Sequence, residues 1–216
     1  MRVKRDSVRE AILTAAAARF SADGYLRATI GAIAKDAGTA ASNVYVYFPC
    51  KLEIALAVFE PWLKKEVLAL EKAARKAEGP EAKVRLVVDG IVRRIPLDHK
   101  GRTTTLMQAL SSARPSDRYN PQLLHWTEGK ISQMLHEACG LAADECDALA
   151  RALMLIFDGV ALRRNLSIAT VGEELVDVVC ALVLRSAPAG SKSMCPRSRV
   201  TDVPGPPVSE GHGGQV

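Results

Sequence analysis

Apolar residues recur at helical spacing through most of this chain, and that periodicity constrains the fold more than any other feature. An early example is the run formed by Ile12, Leu13, Ala16 and Phe20. Alanine, leucine and valine are abundant, aromatic residues make up only 5% of the chain, and alternating β-branched runs are hard to find. Together these features predict an all-α protein.

Capping and turn residues divide the chain into about nine helices. Ser7 and Glu10 have capping-box spacing, which predicts that the first helix begins there and ends at Asp23-Gly24. Pro61 lies inside the fourth helix and predicts a kink near Phe59, because proline lacks the backbone donor. The other helices are predicted to begin at Thr29, Ala41, Cys50, Pro80 (reaching Ile95), Thr103, Pro121, Asp144 and Thr170.

Composition shifts along the chain predict two domains and a tail. We expect an N-terminal domain at 1–50, a larger helical domain at 51–187, and a disordered tail at 188–216, which is rich in Gly, Pro and Ser. The formal net charge is +5, and residues 1–59 hold eight Lys and Arg against five Asp and Glu. This bias is compatible with an anionic partner but does not identify one.

Membrane and metal sites find little support in the sequence. The longest apolar run, at 153–162, contains Asp158 and is too short to cross a bilayer. The five cysteines are scattered, and the spacing of His136, Cys139 and Cys146 matches no closed metal site. We therefore expect a reduced, cytoplasmic protein with no membrane association, no metal and no cofactor.

Residues 28–48, ATIGAIAKDAGTAASNVYVYF, depart from the plain amphipathic pattern. Two short helices are predicted there, separated by a turn at Gly38. Ala34 and Val44 lie four residues before and six residues after that glycine, where a helix-turn-helix needs a small residue for close approach and a β-branched residue between the helices.

The second short helix would then turn a face of small or flat side chains outward, which suits a DNA major groove. Those positions are Ala41, Ser42, Asn43, Tyr45 and Val46, with Tyr47 at the edge. The alternative is an ordinary helical corner in which Tyr45 and Tyr47 are partly buried.

The flanking residues favour the DNA-binding interpretation. Residues 8–59 resemble the DNA-binding domain of the TetR family of bacterial repressors. The elements that carry the resemblance are Ala16, Phe20, Gly24-Tyr25, Thr29-Ile30, Ile33-Ala34, Ala37-Gly38, Val44-Tyr45, Tyr47-Phe48 and Lys51. The resemblance implies a homodimer that binds a double-stranded, inverted-repeat operator, with a ligand pocket in the larger domain.

Residue roles follow from the same resemblance. Thr29 corresponds to the residue that caps the second helix and contacts a DNA phosphate, and Ser42, Asn43 and Tyr45 correspond to the groove-facing positions. Tyr47 and Lys51 correspond to residues that bind flanking phosphates. The family's usual serine cap on the recognition helix is Ala40 here, so Thr39 or Ser42 would have to replace it.

The larger domain offers weaker signals. Its pocket candidates are the large or polarisable side chains of the fourth to eighth helices, each of which is also an ordinary core residue: Trp62, Met107, Trp126, Met134 and Phe157. The last two helices would form a four-helix bundle with a second subunit. The interface candidates there are Leu149, Leu153, Val179, Leu182 and Val183.

Two functions from different classes fit these observations. The first is a homodimeric transcriptional repressor that an unknown small molecule releases from its operator. The second is a ligand-independent architectural or scaffold DNA-binding protein whose larger domain is filled. No phosphate-binding loop, paired histidines or nucleophile elbow supports an enzyme. An apolar cavity of several hundred Å³ in the larger domain would favour the first function.

Overall fold

The computed structural model describes residues 2–98, 100–114, 116–166 and 172–186, and within these residues the helices are joined by turns and loops, with no strand. The all-α prediction is confirmed. The helices are α1 (Arg2–Arg27), α2 (Ile30–Asp36), α3 (Ala41–Tyr47), α4 (Lys51–Lys76), α5 (Gly79–Asp89), a π-helical turn (Gly90–Arg94), α6 (Arg102–Ser111), α7 (Gln122–Cys139), α8 (Ala143–Asn165) and α9 (Glu173–Ser186).

Helices α1, α2 and α3 pack around a small apolar core. Ile12, Ile33 and Val44 are fully buried in it. The Phe20 ring lies 5.6 Å from that of Tyr25 and 6.3 Å from that of Phe59 on α4, measured between centroids. These contacts join the three helices to the start of α4.

The turn between α2 and α3 has the geometry that its residues predict. Gly38 has φ +66, a left-handed conformation that favours glycine. The amide of Thr39 donates to the carbonyl of Ala34 at 2.9 Å, and Ala34 and Val44 are both buried between the helices. The helix-turn-helix prediction is confirmed, including the start of α3 at Ala41.

The start of α1 was predicted wrongly, whereas the break at its end was predicted correctly. The helix begins at Arg2 rather than at Ser7, so the capping-box spacing marks no helix start. The regular helix is broken at Gly24, whose φ of 72 and ψ of 167 are not helical, as Asp23-Gly24 predicted, and a short helical turn follows to Arg27. The extra turn carries the carbonyl of Ala28 towards α4.

Helix α4 connects the head (residues 2–50) to the larger helical body. Its first turns pack against α1 through Leu52 and Ile54, and its later turns bury Leu63 and Val67 in the body. The helix continues through Pro61, whose side chain is exposed to solvent. A single continuous helix therefore belongs to both parts of the molecule.

In the larger body, the fifth predicted helix ends differently from the prediction. It is α-helical only to Asp89 and then forms the π-helical turn, where Ile95 donates to the carbonyl of Gly90. A Cβ on Gly90 would lie 2.5 Å from Cδ2 of Leu70. The lack of a side chain at Gly90 therefore lets this turn approach α4.

The last two helices close the body. Helix α8 packs against α7 and α6, and α9 packs against α5. The predicted cap of α8 at Asp144 was wrong, because the helix begins at Ala143 and the Glu145 carboxylate accepts from the amide of Ala142. The predicted cap at Thr170, Cys195 and the predicted tail at 188–216 lie outside the described residues.

Candidate nucleic-acid interface and internal cavities

The outward face of α3 is well exposed. Tyr45 is 56% exposed, Val46 is also exposed, and Ser42 lies on the same side. Tyr47 is half-buried against the core. The structure therefore brings Ser42 and Tyr45 together on an accessible surface, in contrast to the alternative of a packed corner.

Asn43 is half-buried and its amide is already bonded. Its Nδ2 donates to Oγ1 of Thr39 at 2.8 Å, which leaves Oδ1 available as an acceptor. Ala40 occupies the N-cap position of α3, and no side chain caps the helix there. The Thr39–Asn43 bond therefore joins the turn to the first turn of α3 without supplying the missing cap.

Thr29 caps α2, as predicted. Its Oγ1 accepts from the amide of Ala32 at 3.2 Å, and the residue is exposed. The hydroxyl proton is not used in that bond, so it can donate to an anion such as a DNA phosphate. The phosphate contact itself stays a prediction.

Backbone carbonyls at the end of α1 and just after it hold the Lys51 ammonium in position. Its Nζ donates to the carbonyl of Tyr25 at 2.8 Å and to that of Ala28 at 3.0 Å, and it lies 4.2 Å from the centroid of the Tyr25 ring. Burial lowers the pKa of Lys51. Burial, with smaller effects of Cys50 and Asp117, raises the pKa of Tyr25 to about 12. The ammonium has one proton left for a phosphate.

An ion pair fixes α2 against α1. Arg19 donates to the Asp36 carboxylate through Nε at 2.5 Å and Nη2 at 3.0 Å. The hydrogen bond from Arg19 lowers the pKa of Asp36. This pair orients α2 and, through the tight turn, positions α3 on the head.

The larger body contains an apolar cavity of about 270 Å³ between α4, the π-helical turn, α6, α7 and α8. Its walls are formed by Leu63, Val67, Ile91, Ile95, Leu106, Leu110, Leu124, Thr127, Glu128, Arg151, Met154, Leu155, Phe157 and Asp158. The volume lies just below the roughly 300–1,000 Å³ of typical small-molecule sites, and the lining is mostly apolar, as in such sites.

A second, more open cleft of about 550 Å³ lies at the end of the π-helical turn. It is lined by Trp62, Glu66, Arg93, Arg94, Ile95, Leu97, Asp98, Lys100 and Arg102. Arg102 lies 4.5 Å from the Trp62 ring centroid and bonds to Asp98. Burial would raise the pKa of Asp98, but the hydrogen bonds from Arg102 outweigh it and lower that pKa.

Only one of the five predicted pocket residues, Phe157, lines the apolar cavity, and Trp62 lines the open cleft. Met134 is buried in the core, whereas Met107 and Trp126 pack partly buried against it, with the Lys64 ammonium 5.3 Å from the Trp126 ring. The sequence interpretation missed Glu128 and Asp158. In the sequence, the one indication of this pair is that Asp158 places a carboxylate in the middle of an apolar run.

The predicted interface residues divide between two faces of α8 and α9. Leu153, Val179 and Val183 are buried in the core of the chain itself, and Leu149 packs against that core. Leu182 is 58% exposed. The large exposed apolar side chains on these helices are Leu155, Leu162, Val178 and Leu182, and Leu166 follows the end of α8. An interface through α8 and α9 would therefore use the face of Leu182 rather than the face of the other four predicted residues.

Residues 12–58 match the family model described as bacterial regulatory proteins, tetR family. The match spans α2, the turn and α3, with the flanking parts of α1 and α4. The head is therefore similar to the DNA-binding domain of bacterial transcription regulators of the TetR family, and the predicted resemblance is confirmed.

Solved structures show the same fold at low sequence identity. A TetR transcriptional regulator from Rhodococcus sp. RHA1 is 21% identical, with 84% of this chain and 97% of that one covered and a TM-score of 0.62. The fatty acid degradation regulator FadR from Bacillus halodurans is 20% identical, with 82% and 94% covered and a TM-score of 0.54. FadR from Bacillus subtilis, in complex with stearoyl-CoA, is 18% identical, with 82% and 98% covered and a TM-score of 0.52.

A search of curated protein sequences found no match to this regulator. Among the described residues, no helix is long and apolar enough to cross a membrane. Within that same part of the chain, no three His, Cys, Asp or Glu side chains are grouped to hold a metal ion.

Proposed function

We propose that this regulator is a cytoplasmic homodimeric repressor that a small molecule releases from an inverted-repeat operator. The apolar cavity carries the proposal. One wall of it is formed by Leu63 and Val67 of α4, the helix that begins at Lys51 in the head. A ligand-independent architectural protein needs no such space, so the cavity favours the ligand-responsive function.

Two helices can transmit a change at the cavity to the head. Helix α4 begins at Lys51 beside the head and lines the cavity with Leu63 and Val67. Helix α6 lines the cavity with Leu106 and Leu110 and also packs against α1, where Gln108 lies beside Gly24. A ligand that displaces either helix would tilt the head and move α3 away from the groove.

The energy required of such a switch is modest. A ligand acts only if it binds one arrangement of the heads better than the other. A coupling free energy of about 1–3 kcal/mol gives roughly a 5–150-fold loss of DNA affinity. The displacement of α4 or α6 would have to supply a difference of this size.

The comparisons support an apolar ligand. The Bacillus subtilis structure holds stearoyl-CoA, and the lining of the cavity in this regulator suits an aliphatic or aromatic group. We assign DNA contact to Thr29, Ser42, Asn43, Tyr45, Tyr47 and Lys51. The unit that carries them is the head at 1–50, and 51–187 forms the ligand-binding and dimerisation domain.

The test is a thermodynamic cycle on the full-length protein. Binding to DNA upstream of its own gene is measured by fluorescence anisotropy, with and without each compound of a small-molecule panel. For any compound that releases the DNA, its affinity is then measured for free and DNA-bound protein. The two affinities should differ by the same factor as the two DNA affinities.

Two results would overturn the proposal. One is a compound that binds in the cavity with equal affinity whether or not DNA is bound. The other is sequence-specific DNA binding that no panel compound changes although several bind. Either result would place the architectural function ahead.

A further inference from the structure

The apolar cavity contains two carboxylates that nothing in the described protein neutralises. Asp158 on α8 and Glu128 on α7 both line it. Neither carboxylate makes an ion pair or a hydrogen bond with any described residue. The walls from α4, the π-helical turn and α6 contribute only apolar side chains.

Two other sheltered carboxylates in the same body have cationic partners. Glu71, which is buried, accepts from Arg75 at 2.8 Å and from Lys130 at 3.2 Å. Asp98 accepts from Arg102 at 2.6 Å. The carboxylates of Asp158 and Glu128 lack such partners among the described residues.

The electrostatics of the cavity favour a positive guest. Burial raises the pKa of Asp158, and the nearby Glu128 raises it further. Both effects make ionisation of the Asp158 carboxyl unfavourable, because it has little contact with solvent and lies near another carboxylate. Arg151 also lines the cavity, but it is exposed and forms no ion pair with either carboxylate, so the lining keeps a net negative charge.

We propose that the effector of this regulator is a small organic cation, an amine with an apolar body, whose ammonium group lies between Asp158 and Glu128. The inference rests on the proposed ligand-responsive function and names its ligand class. The apolar body would fill the space between Leu63, Ile91 and Leu106. The cavity volume of about 270 Å³ suits a compact ligand rather than a long chain.

An anionic effector is the contrasting class. A carboxylate head in this cavity would lie beside two like charges, and among the described lining residues only Arg151 is a cation that could offset them. The stearoyl-CoA of the Bacillus subtilis structure is anionic at its head group. The two classes therefore make opposite predictions about the head charge that this cavity accepts.

The experiment uses three probes of nearly equal size with different heads: 4-phenylbutylamine, 4-phenylbutanol and 4-phenylbutyrate. Their affinities for the full-length protein are measured by calorimetry at pH 7.5. We expect the amine to bind about tenfold or more tightly than the alcohol, because hydrogen bonds between charged groups are stronger than neutral ones. We expect the butyrate to bind most weakly.

Variants then locate the binding site. Asp158→Asn should lower the affinity for the amine by about tenfold to a hundredfold while leaving that for the alcohol nearly unchanged. Asp144→Asn is the matched control, since Asp144 is exposed at the start of the same helix and should change neither affinity. If Asp158→Asn fails to fold, Glu128→Gln removes the other negative charge of the cavity and serves as the test instead.

Stability gives an independent measurement. A carboxyl whose pKa is raised in the folded protein destabilises the fold as pH rises from its unfolded pKa through its folded pKa. Asp158→Asn removes that cost, so its melting temperature relative to wild type should be higher at pH 7 than at pH 3. A lower melting temperature for the variant at pH 7 would contradict an unpaired charge at this position.

The outcomes separate this inference from the proposed function. Butyrate binding as tightly as the amine, or amine affinity unchanged in Asp158→Asn and Glu128→Gln, would overturn the cation assignment. If an anionic compound such as stearoyl-CoA releases the DNA and does so equally from Asp158→Asn, the repressor function stands and the ligand class is wrong. If the amine binds through Asp158 but leaves DNA affinity unchanged, the cavity assignment stands and the switch fails.

Discussion

Lys51 has a structural role that its predicted contact with DNA does not include. The ammonium joins the first turn of α4 to the carbonyls of Tyr25 and Ala28. It therefore fixes the angle between the head and the helix that leads to the cavity. A phosphate bound to its remaining proton would act on a group that is already held in place.

A substitution separates these two roles. Lys51→Met keeps the aliphatic stem and removes the donors, so we expect the free energy of unfolding to fall by about 1–3 kcal/mol. A phosphate contact would in addition reduce the slope of log affinity against log salt concentration by about one. Chemical denaturation and a salt titration of DNA binding measure the two effects.

Lys35 provides the control for Lys51, because it is exposed on α2 and its side chain forms no ion pair or hydrogen bond with a described residue. Lys35→Met should leave the free energy of unfolding nearly unchanged. A stable Lys51→Met protein with an unchanged salt slope would contradict both roles.

Asn43 is predicted to contribute sequence readout through its free Oδ1. Asn43→Ala should cost about 1–3 kcal/mol on the preferred site and relax the preference at one or two base pairs. Competition binding with a randomised site measures this. A uniform loss on all sequences would instead mean that Asn43 acts only by holding Thr39, and Thr39→Val, which removes the acceptor of that bond, would then reproduce the loss.

At the scale of the element, the π-helical turn shapes the cavity. It places Ile91 and Ile95 in the cavity wall, and it depends on the close approach of Gly90 to Leu70. Such turns add a residue to a helix and redirect the side chains that follow. The close approach of Gly90 to Leu70 therefore underlies both the π-helical turn and this part of the cavity wall.

Gly90→Ala should destabilise the protein by about 1–3 kcal/mol, because the new Cβ would overlap the Leu70 methyl groups at 2.5 and 2.6 Å. The double variant Gly90→Ala/Leu70→Ala should cost less than the sum of the single variants, since the smaller side chain leaves room. Thermal or urea unfolding of all four proteins gives the coupling.

Gly129 in α7 is the matched control for Gly90, since an added Cβ there meets nothing within 4 Å. Gly129→Ala should stabilise the protein by about 1 kcal/mol through helix propensity. Additive effects in the Gly90 and Leu70 cycle would contradict the proposed packing.

At the scale of the whole molecule, the exposed apolar residues of α8 and α9 are the main surface without a described partner. Leu155, at 72% exposed, and Leu162 lie seven residues apart on one face of α8, and Val178 and Leu182 lie four apart on α9. A second copy packed on these residues would remove them from water.

Leu182→Glu should yield monomers, because it places a charge in the proposed interface. Its affinity for an inverted-repeat operator should fall by about 10²–10⁴-fold, since two recognition helices bind together only when they are held about 34–36 Å apart. Sedimentation equilibrium and DNA binding test both effects.

Leu68→Glu on α4 is the control for Leu182→Glu, because Leu68 is similarly exposed, at 46%, but lies outside α8 and α9. It should remain dimeric. A dimeric Leu182→Glu protein, or a monomeric wild type, would contradict the placement of the interface.

The sequence by itself determined the all-helical fold and predicted the helix-turn-helix, and the resemblance of residues 8–59 favoured DNA binding over an ordinary helical corner. The fold and the motif depend on local rules, namely helical periodicity, a glycine that can adopt positive φ between two short helices, and small or branched residues at fixed offsets from it. Each rule acts within a few residues of the chain, which is why Ala34, Gly38 and Val44 predict the turn.

Only the tertiary structure decided which faces of α8 and α9 are buried, where the cavity lies, and what surrounds Asp158. Leu153 and Leu155 are two residues apart in the same helix and equally apolar, yet one is core and the other is exposed, because burial depends on which helix packs alongside. Likewise, Asp158 becomes a candidate residue for ligand binding only because α7 brings Glu128 near it and neither carboxylate forms an ion pair with a described residue. Such pairings join residues 30 positions apart, and no local pattern encodes them.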